Sequence, residues 1–221
     1  EGKELSIKEI ENIKHADDSV FLLRYALKLR QKSLYSEYKM REKLYEKGAN
    51  KEQVDDIISY LKKNDLIDDK AFILDYIEYY NSLNYGKNKI ISKIVEKGIF
   101  KEKLDRLSFP ITTERKKAQK IFPKLEKKYE KYNDKKRKNH IYQAYLNAGF
   151  DSDIALEMIE KVKENNPRDE NKKLEEEFNK IYPRYRVKYS KKELKGKLLA
   201  HLASKGYKVN AIMNLLERKH I

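Results

Sequence analysis

Arg184, Arg186, Lys188, Lys191, Lys192 and Lys195 place six positive charges within a dozen residues. Guanidinium groups can grip phosphate or carboxylate oxygens bidentately, and lysines add point charge around them. In the sequence pattern the run falls at a helix start, where positive charge opposes the helix dipole. Local helix stability therefore does not account for it, whereas contact with a polyanionic or acidic partner does. A second set recurs along the chain: Lys43, Lys93 and Lys197, followed near the helix end by Lys47, Lys97 and Lys205. These are candidates for the same contact. Complementing a helix C-terminus is the alternative, worth on the order of a few tenths of a kcal/mol.

Catalytic chemistry finds little footing. His15, His140, His201 and His220 are scattered, there is no cysteine, and no His/Glu pairing has metal spacing. No phosphate-cradling glycine loop or nucleophile motif is present. The expectation is a protein without catalytic, cofactor-binding or metal-ligating residues. The 17 tyrosines invite base stacking. Most stand at core positions, and Tyr185 and Tyr189 are the best candidates because arginines flank them. The stretch Arg115–Lys138 carries 12 basic residues interrupted by Glu126, Glu130 and Asp134, which reads as an exposed face of i,i+4 pairs.

The elements that position these charges repeat. Tyr35-Ser-Glu-Tyr-Lys-Met-Arg-Glu-Lys-Leu-Tyr-Glu-Lys-Gly48 returns three times, on glycines at Gly98, Gly149 and Gly206. Aligned on them, Met40 and Leu44 match Ile90 and Ile94, then Ile141 and Tyr145. In the last copy the match is at the start, where Tyr189, Ser190, Leu194 and Leu198 repeat Tyr35, Ser36, Met40 and Leu44. The last copy runs four residues longer, about one turn. Ser36 and Ser190 are N-cap candidates, Ser190 with Glu193 in capping-box spacing. The glycines supply the left-handed residue of a Schellman ending, each followed by an apolar residue: Ala49, Ile99, Phe150, Tyr207. Asp68 caps a helix carrying Phe72, and Asn50 caps another.

The pattern implies an all-α protein, an elongated, curved array of about four tandem three-helix repeats with no sheet. Its divisions are a linker and short helix over 1–16, then repeats over 17–67, 68–111, 112–165 and 166–221. Asp17-Asp18-Ser19 is expected to cap a helix over Val20–Lys32 whose buried side includes Phe21, and Thr112 or Thr113 to cap the first helix of the third repeat. Net charge is +15 and climbs along the chain: −1 over 1–16, 0 over 17–69, +3 over 70–111, +5 over 112–166 and +8 over 167–221. That gradient points the C-terminal half at a polyanion. No run is apolar enough to span a membrane and no leader pattern opens the chain, which fits the cytoplasm.

These residues resemble the RecX family, regulators of the RecA recombinase. The resemblance rests on Tyr35-Ser36 with Met40, Lys43, Leu44 and Lys47-Gly48, and on Leu66-Ile67-Asp68-Asp69-Lys-Ala71-Phe72. Gly86, Lys89, Ile90, Lys93, Ile94 and Lys97-Gly98-Ile99 carry it further, and Lys197-Leu198 with Lys205-Gly206-Tyr207 and Ile212 close it. It covers about 17–221. Three positions depart: Lys39 stands where an acidic cap residue is usual, and Ala144 and Ala148 replace the lysines in the third repeat. The resemblance implies a monomeric, non-enzymatic protein without cofactor. It would bind the RecA–single-stranded DNA filament in its groove, lower its ATPase, strand-exchange and coprotease activities, and touch DNA weakly and without sequence preference. The opening Gly2-Lys-Glu-Leu-Ser resembles the linker after a β-rich N-terminal part in longer members. A helical scaffold for an unrelated protein, and a nucleic-acid-binding helical protein without a recombinase, remain the alternatives.

Overall fold

The computed structural model describes residues 6–104 and 107–221, with the backbone alone over 7–16. The described residues form eleven α-helices and one 3-10 turn, and no strand. The helices are α1 (Ile7–Lys32), α2 (Glu37–Glu46), α3 (Lys51–Lys63), α4 (Asp69–Ser82), α5 (Lys87–Val95), α6 (Ile111–Tyr129), α7 (Asp134–Asn147), α8 (Ser152–Glu160), α9 (Pro167–Lys188), α10 (Lys191–Ser204) and α11 (Val209–Arg218). The 3-10 turn, Lys101–Lys103, stands where a short third helix of the second repeat was expected. Two compact units emerge, one of residues 1–83 and 90–108, the other of 84–89 and 109–221.

The glycine-ended helices α2, α5, α7 and α10 are the framework, and each buries the pair that the sequence aligned. Met40, Leu44, Ile90, Ile94, Ile141, Tyr145 and Leu198 are wholly buried, and Leu194 nearly so. Gly48, Gly98, Gly149 and Gly206 all have positive φ, at 93, 80, 90 and 101°. The Schellman bonds form behind them, for example Ala49 N–H to the Leu44 carbonyl at 3.0 Å and Phe150 N–H to that of Tyr145 at 3.1 Å. Ala49, Ile99 and Phe150 are buried, which fixes the chain's exit from each helix.

The start of one glycine helix is fastened to the end of another. In the first unit the Ser36 hydroxyl accepts from Lys39 N–H and donates to the Lys97 carbonyl beside Gly98. In the second unit Gly86 N–H donates to the Ala148 carbonyl at 2.8 Å and Asn88 N–H to that of Gly149 at 3.0 Å. There too Asn133 Nδ2 donates to the Lys205 carbonyl at 3.0 Å while its Oδ1 caps Lys136 N–H. A carboxylate holds the first amide of three of these helices, α2, α5 and α7: Asp69 for Glu37 N–H (2.9 Å), Glu114 for Lys87 N–H (3.0 Å), Glu170 for Asp134 N–H (3.3 Å). Orphan amides at a helix N-terminus carry positive potential, so an acid there is both a hydrogen-bond partner and a charge match.

Three apolar cores follow. One in the first unit gathers Leu22, Ala26, Met40, Leu44, Val54, Ile58 and Leu61. In the second unit, one holds Ile141, Tyr145, Phe150, Ile154 and Met158, and another Leu174, Phe178, Leu198, Leu202, Ile212 and Leu216. The Tyr145 hydroxyl donates to the Ala118 carbonyl at 2.9 Å, and burial pushes its pKa well above the usual phenol value.

Several expectations are corrected. α1 runs unbroken through Asp17-Asp18-Ser19, because no glycine or proline interrupts it and aspartate and serine each lower helix propensity only by about half a kcal/mol. Ser6 and Glu9 stand in capping-box spacing in the sequence, and the side chain of Glu9 lies outside the described residues. Of the side expected to face inward, Phe21, Leu22, Tyr25 and Leu29, only Phe21 is exposed: Leu22 is buried, and Tyr25 and Leu29 pack against the core beside Ala26. Pro110, not a threonine, occupies the N-cap of α6, with no side-chain cap bond. The Arg115–Lys138 stretch is not uniformly solvated. Lys117 is buried, pairs with Glu114 at 2.5 Å and donates to the Tyr85 carbonyl. Arg137 is buried too, donating to Asn165 Oδ1 at 2.9 Å and to the Lys163 carbonyl. Both sit where a helix face turns inward, so their charges serve the interior rather than the solvent.

Candidate interaction surfaces

Three of the six cations that opened the sequence reading stand at a helix end rather than a helix start. α9 continues through Pro183, so Arg184, Arg186 and Lys188 occupy its C-terminal part, where the dipole favours them. Proline is tolerated there because its neighbours retain helical bonds up to Tyr189 N–H, which donates to the Tyr185 carbonyl at 3.0 Å. Lys191 and Lys192 do open a helix, α10, against the dipole. Arg184, Arg186, Lys188, Lys191, Lys192 and Lys197 are exposed and Lys195 is half-buried. Among the described residues no carboxylate lies in ion-pair range of any of them, although Glu193 lies near enough to Lys197 for their charges to interact. Val187, between Arg186 and Lys188, is 89% exposed. Ser190 donates through its N–H and hydroxyl to Glu193, at 3.3 and 2.7 Å, which closes one half of the expected box.

The recurrent lysines of the first unit behave differently. Lys43 pairs with Glu46 at 2.5 Å and Lys93 with Glu96 at 2.7 Å, both three residues on. Lys47 lies over the rings of Phe21 and Tyr25, and Lys97 over that of Tyr76, 6.0 Å from its centroid. Helix-end pairing and cation–π packing thus engage them locally. Asp68 caps α4 by accepting Lys70 N–H at 2.7 Å, and Phe72 is buried behind it. Of the two tyrosines singled out for stacking, Tyr185 is committed to His201 Nδ1 at 3.0 Å. Tyr189 lies between the ammonium groups of Lys188 and Lys197, 5.3 and 5.6 Å from its centroid.

Two concavities escaped the sequence reading. In the first unit a groove of about 780 Å³ is lined by Phe72, Tyr76, Tyr79 and Tyr80 of α4, by Ser36, Lys39 and Lys43, and by Lys97. In the second unit a cleft of about 420 Å³ is lined by Lys173, Glu176, Glu177 and Lys180 of α9, by Lys131, Tyr132, Asn133 and Lys136, and by Lys205 and Tyr207. The two occupy the same position in the repeat. By their place at the helix start, Ser36 and Lys39 correspond to Asn133 and Lys136, α7 beginning about a turn earlier than α2 relative to its glycine, and Lys97 corresponds to Lys205. Phe72, Asp75, Tyr76 and Tyr79 have the i, i+3, i+4, i+7 spacing of Lys173, Glu176, Glu177 and Lys180. That shared spacing was the signal in the sequence. Among the described residues no three His, Asp or Glu side chains cluster to hold a metal, and no helix is long and apolar enough to cross a membrane.

No family model matches the chain. It is 30% identical to the regulatory protein RecX of Lactococcus lactis subsp. lactis, over 97% of this chain and 82% of that protein. The proteins of the same name from Streptococcus mutans and Oceanobacillus iheyensis are 28% and 25% identical, covering 84% and 80% of their lengths. A crystal structure of a regulatory protein RecX matches 72% of this chain and 81% of its own, with TM-score 0.62 and 26% identity. That of RecX from Lactobacillus salivarius, at 23% identity and TM-score 0.59, shares the fold.

Proposed function

Because the chain belongs to the RecX family of regulatory proteins, we propose that it binds the RecA recombinase assembled on single-stranded DNA and restrains it. The reading is of a cytoplasmic monomer, without a catalytic step or cofactor of its own, that lowers ATP hydrolysis, strand exchange and coprotease activity. Four three-helix repeats, bounded as the glycine helices suggest, would line its length along the filament groove. The observation that carries the reading is the 30% identity to a RecX protein over nearly the whole chain. The exposed cations of α9 and α10 supply its chemistry, since such charge costs little stability and steers association with an anionic surface. Direct contact with DNA is then weak, independent of sequence and steeply dependent on salt.

Co-sedimentation tests it. The chain should pellet with RecA–single-stranded DNA filaments, and much less with the DNA alone at the same ionic strength. Equal pelleting with bare DNA would favour a nucleic-acid-binding protein without a recombinase partner. No pelleting in either case would leave the scaffold reading standing in its place.

A further inference from the structure

The cleft of the second unit concentrates charge that the fold does not require. Five lysines face two glutamates around about 420 Å³. Lys131, Lys136, Lys180 and Lys205 have no carboxylate in ion-pair range among the described residues. Lys173 is fixed: its ammonium donates to the carbonyls of Glu130 at 2.8 Å and Tyr132 at 3.1 Å. An ammonium has three donors, so one is left for a ligand. The Asn133–Lys205 bond at 3.0 Å and the Tyr207 hydroxyl, which donates to the Lys173 carbonyl at 3.0 Å, hold the walls in place.

Packing does not explain these lysines. At the same repeat position in the first unit, α4 presents Phe72, Tyr76 and Tyr79 where α9 presents Lys173, Glu177 and Lys180. The joint forms with either set. Five lysines against Glu176 and Glu177 leave the cleft an excess of positive charge, which an anion inside it would offset. Arginine, which matches carboxylates bidentately, is missing from the lining, whereas several lysines suit a compact anion of multiple charge. A nucleobase has no open platform here, because Lys131 and Lys136 lie over the Tyr132 ring, 5.3 and 4.9 Å from its centroid.

We infer that this cleft is a phosphate-binding site, taking consecutive phosphates of a polyphosphate or a phosphodiester strand through Lys173, Lys180 and Lys205. Recognition is of phosphate alone and does not depend on base. It extends the proposed function without resting on it.

The test uses the whole chain and no recombinase, so its failure is separate from failure of the filament reading. Binding of inorganic triphosphate is followed by calorimetry, and binding of a labelled single-stranded oligonucleotide by anisotropy, at low salt. Lys180→Glu with Lys205→Glu should weaken probe binding at least about tenfold, the equivalent of about 1.4 kcal/mol. Lys116→Glu with Lys120→Glu, exposed on α6 outside the cleft, should change it less than about twofold, since a distant surface charge acts only through screened fields. Displacement of the oligonucleotide by triphosphate identifies a strand as a natural occupant, and triphosphate binding without displacement identifies a free polyphosphate. Failure of the parent to bind either probe, or equal weakening by both pairs of changes with helicity retained, overturns the site.

Discussion

Adding one methyl group at three glycines separates two physical costs that the glycine helices combine. At Gly48 φ is +93° and a Cβ would meet nothing within 4 Å, so Gly48→Ala carries backbone strain alone. At Gly86 φ is ordinary, but a Cβ would overlap the backbone of Gly149 and Phe150, so Gly86→Ala carries the clash alone. Gly149 carries both, with φ at +90° and a Cβ driven into the backbone of Lys89. Left-handed backbone costs a residue with a Cβ roughly 1–2 kcal/mol. Overpacking costs about 1–3 kcal/mol, towards the upper end here because backbone, not a flexible side chain, must yield. Gly48→Ala should therefore lose about 1–2 kcal/mol, Gly86→Ala about 2–3, and Gly149→Ala about 3–5. Urea unfolding followed by circular dichroism measures this, with each glycine assigned to the transition of its own unit if two appear. A loss at Gly149 no larger than at Gly48, or a neutral Gly86→Ala, would refute the close backbone joint.

Two further perturbations probe the same joint in the second unit. Glu114→Ala leaves Lys117 buried without its carboxylate and Lys87 N–H without an acceptor, and should destabilise by about 3–5 kcal/mol in urea unfolding. Glu114→Gln, which keeps an acceptor, should cost less. Burial pushes the Asp151 carboxyl up, but hydrogen bonds and charge from Lys87, with a hydrogen bond from Asn88, outweigh it and hold the pKa below the usual value. A depressed folded pKa stabilises fully above the unfolded value, about 3.9, and is lost as pH falls through the lower folded value. Stability should thus decline below about pH 4, and Asp151→Asn should flatten part of that acid limb.

Where one helix carried its whole signal locally, the sequence was sufficient. The left-handed glycines, the buried pairs from Met40/Leu44 to Leu194/Leu198, and the caps at Ser36, Asn50 and Asp68 need only short-range spacing to be seen. Other features depend on what a helix packs against. Nothing local distinguishes Lys117 or Arg137 from the solvated lysines beside them; the partners Tyr85 and Lys163 lie 32 and 26 residues away. The break expected at Asp17-Asp18 failed because cap residues mark a start only where the chain actually turns. The helix start expected under the basic run lies later for its own reason: α9 continues through Pro183, because a proline near a helix end loses one backbone bond and the remaining turns hold. That moved Arg184, Arg186 and Lys188 onto the end of α9, where the dipole accounts for part of their placement, although they remain exposed and without a carboxylate partner among the described residues. The clefts needed register between first helices of different repeats, a weaker signal than the glycine ladder.

The central claim concerns RecA and the cations of α9 and α10, and ATP hydrolysis by RecA on single-stranded DNA tests it most directly. The parent chain should slow hydrolysis as it is titrated in. Changing Arg184, Arg186, Lys188, Lys191 and Lys192 to Glu sets like charges against an anionic partner, and should abolish most of that inhibition while leaving the helical spectrum and melting nearly unchanged. Reversing the exposed Lys28, Lys32, Lys51, Lys63 and Lys70 of the first unit instead should leave inhibition close to that of the parent. Hydrolysis unaffected by the parent chain, or inhibition equal in the two variants, would contradict the account.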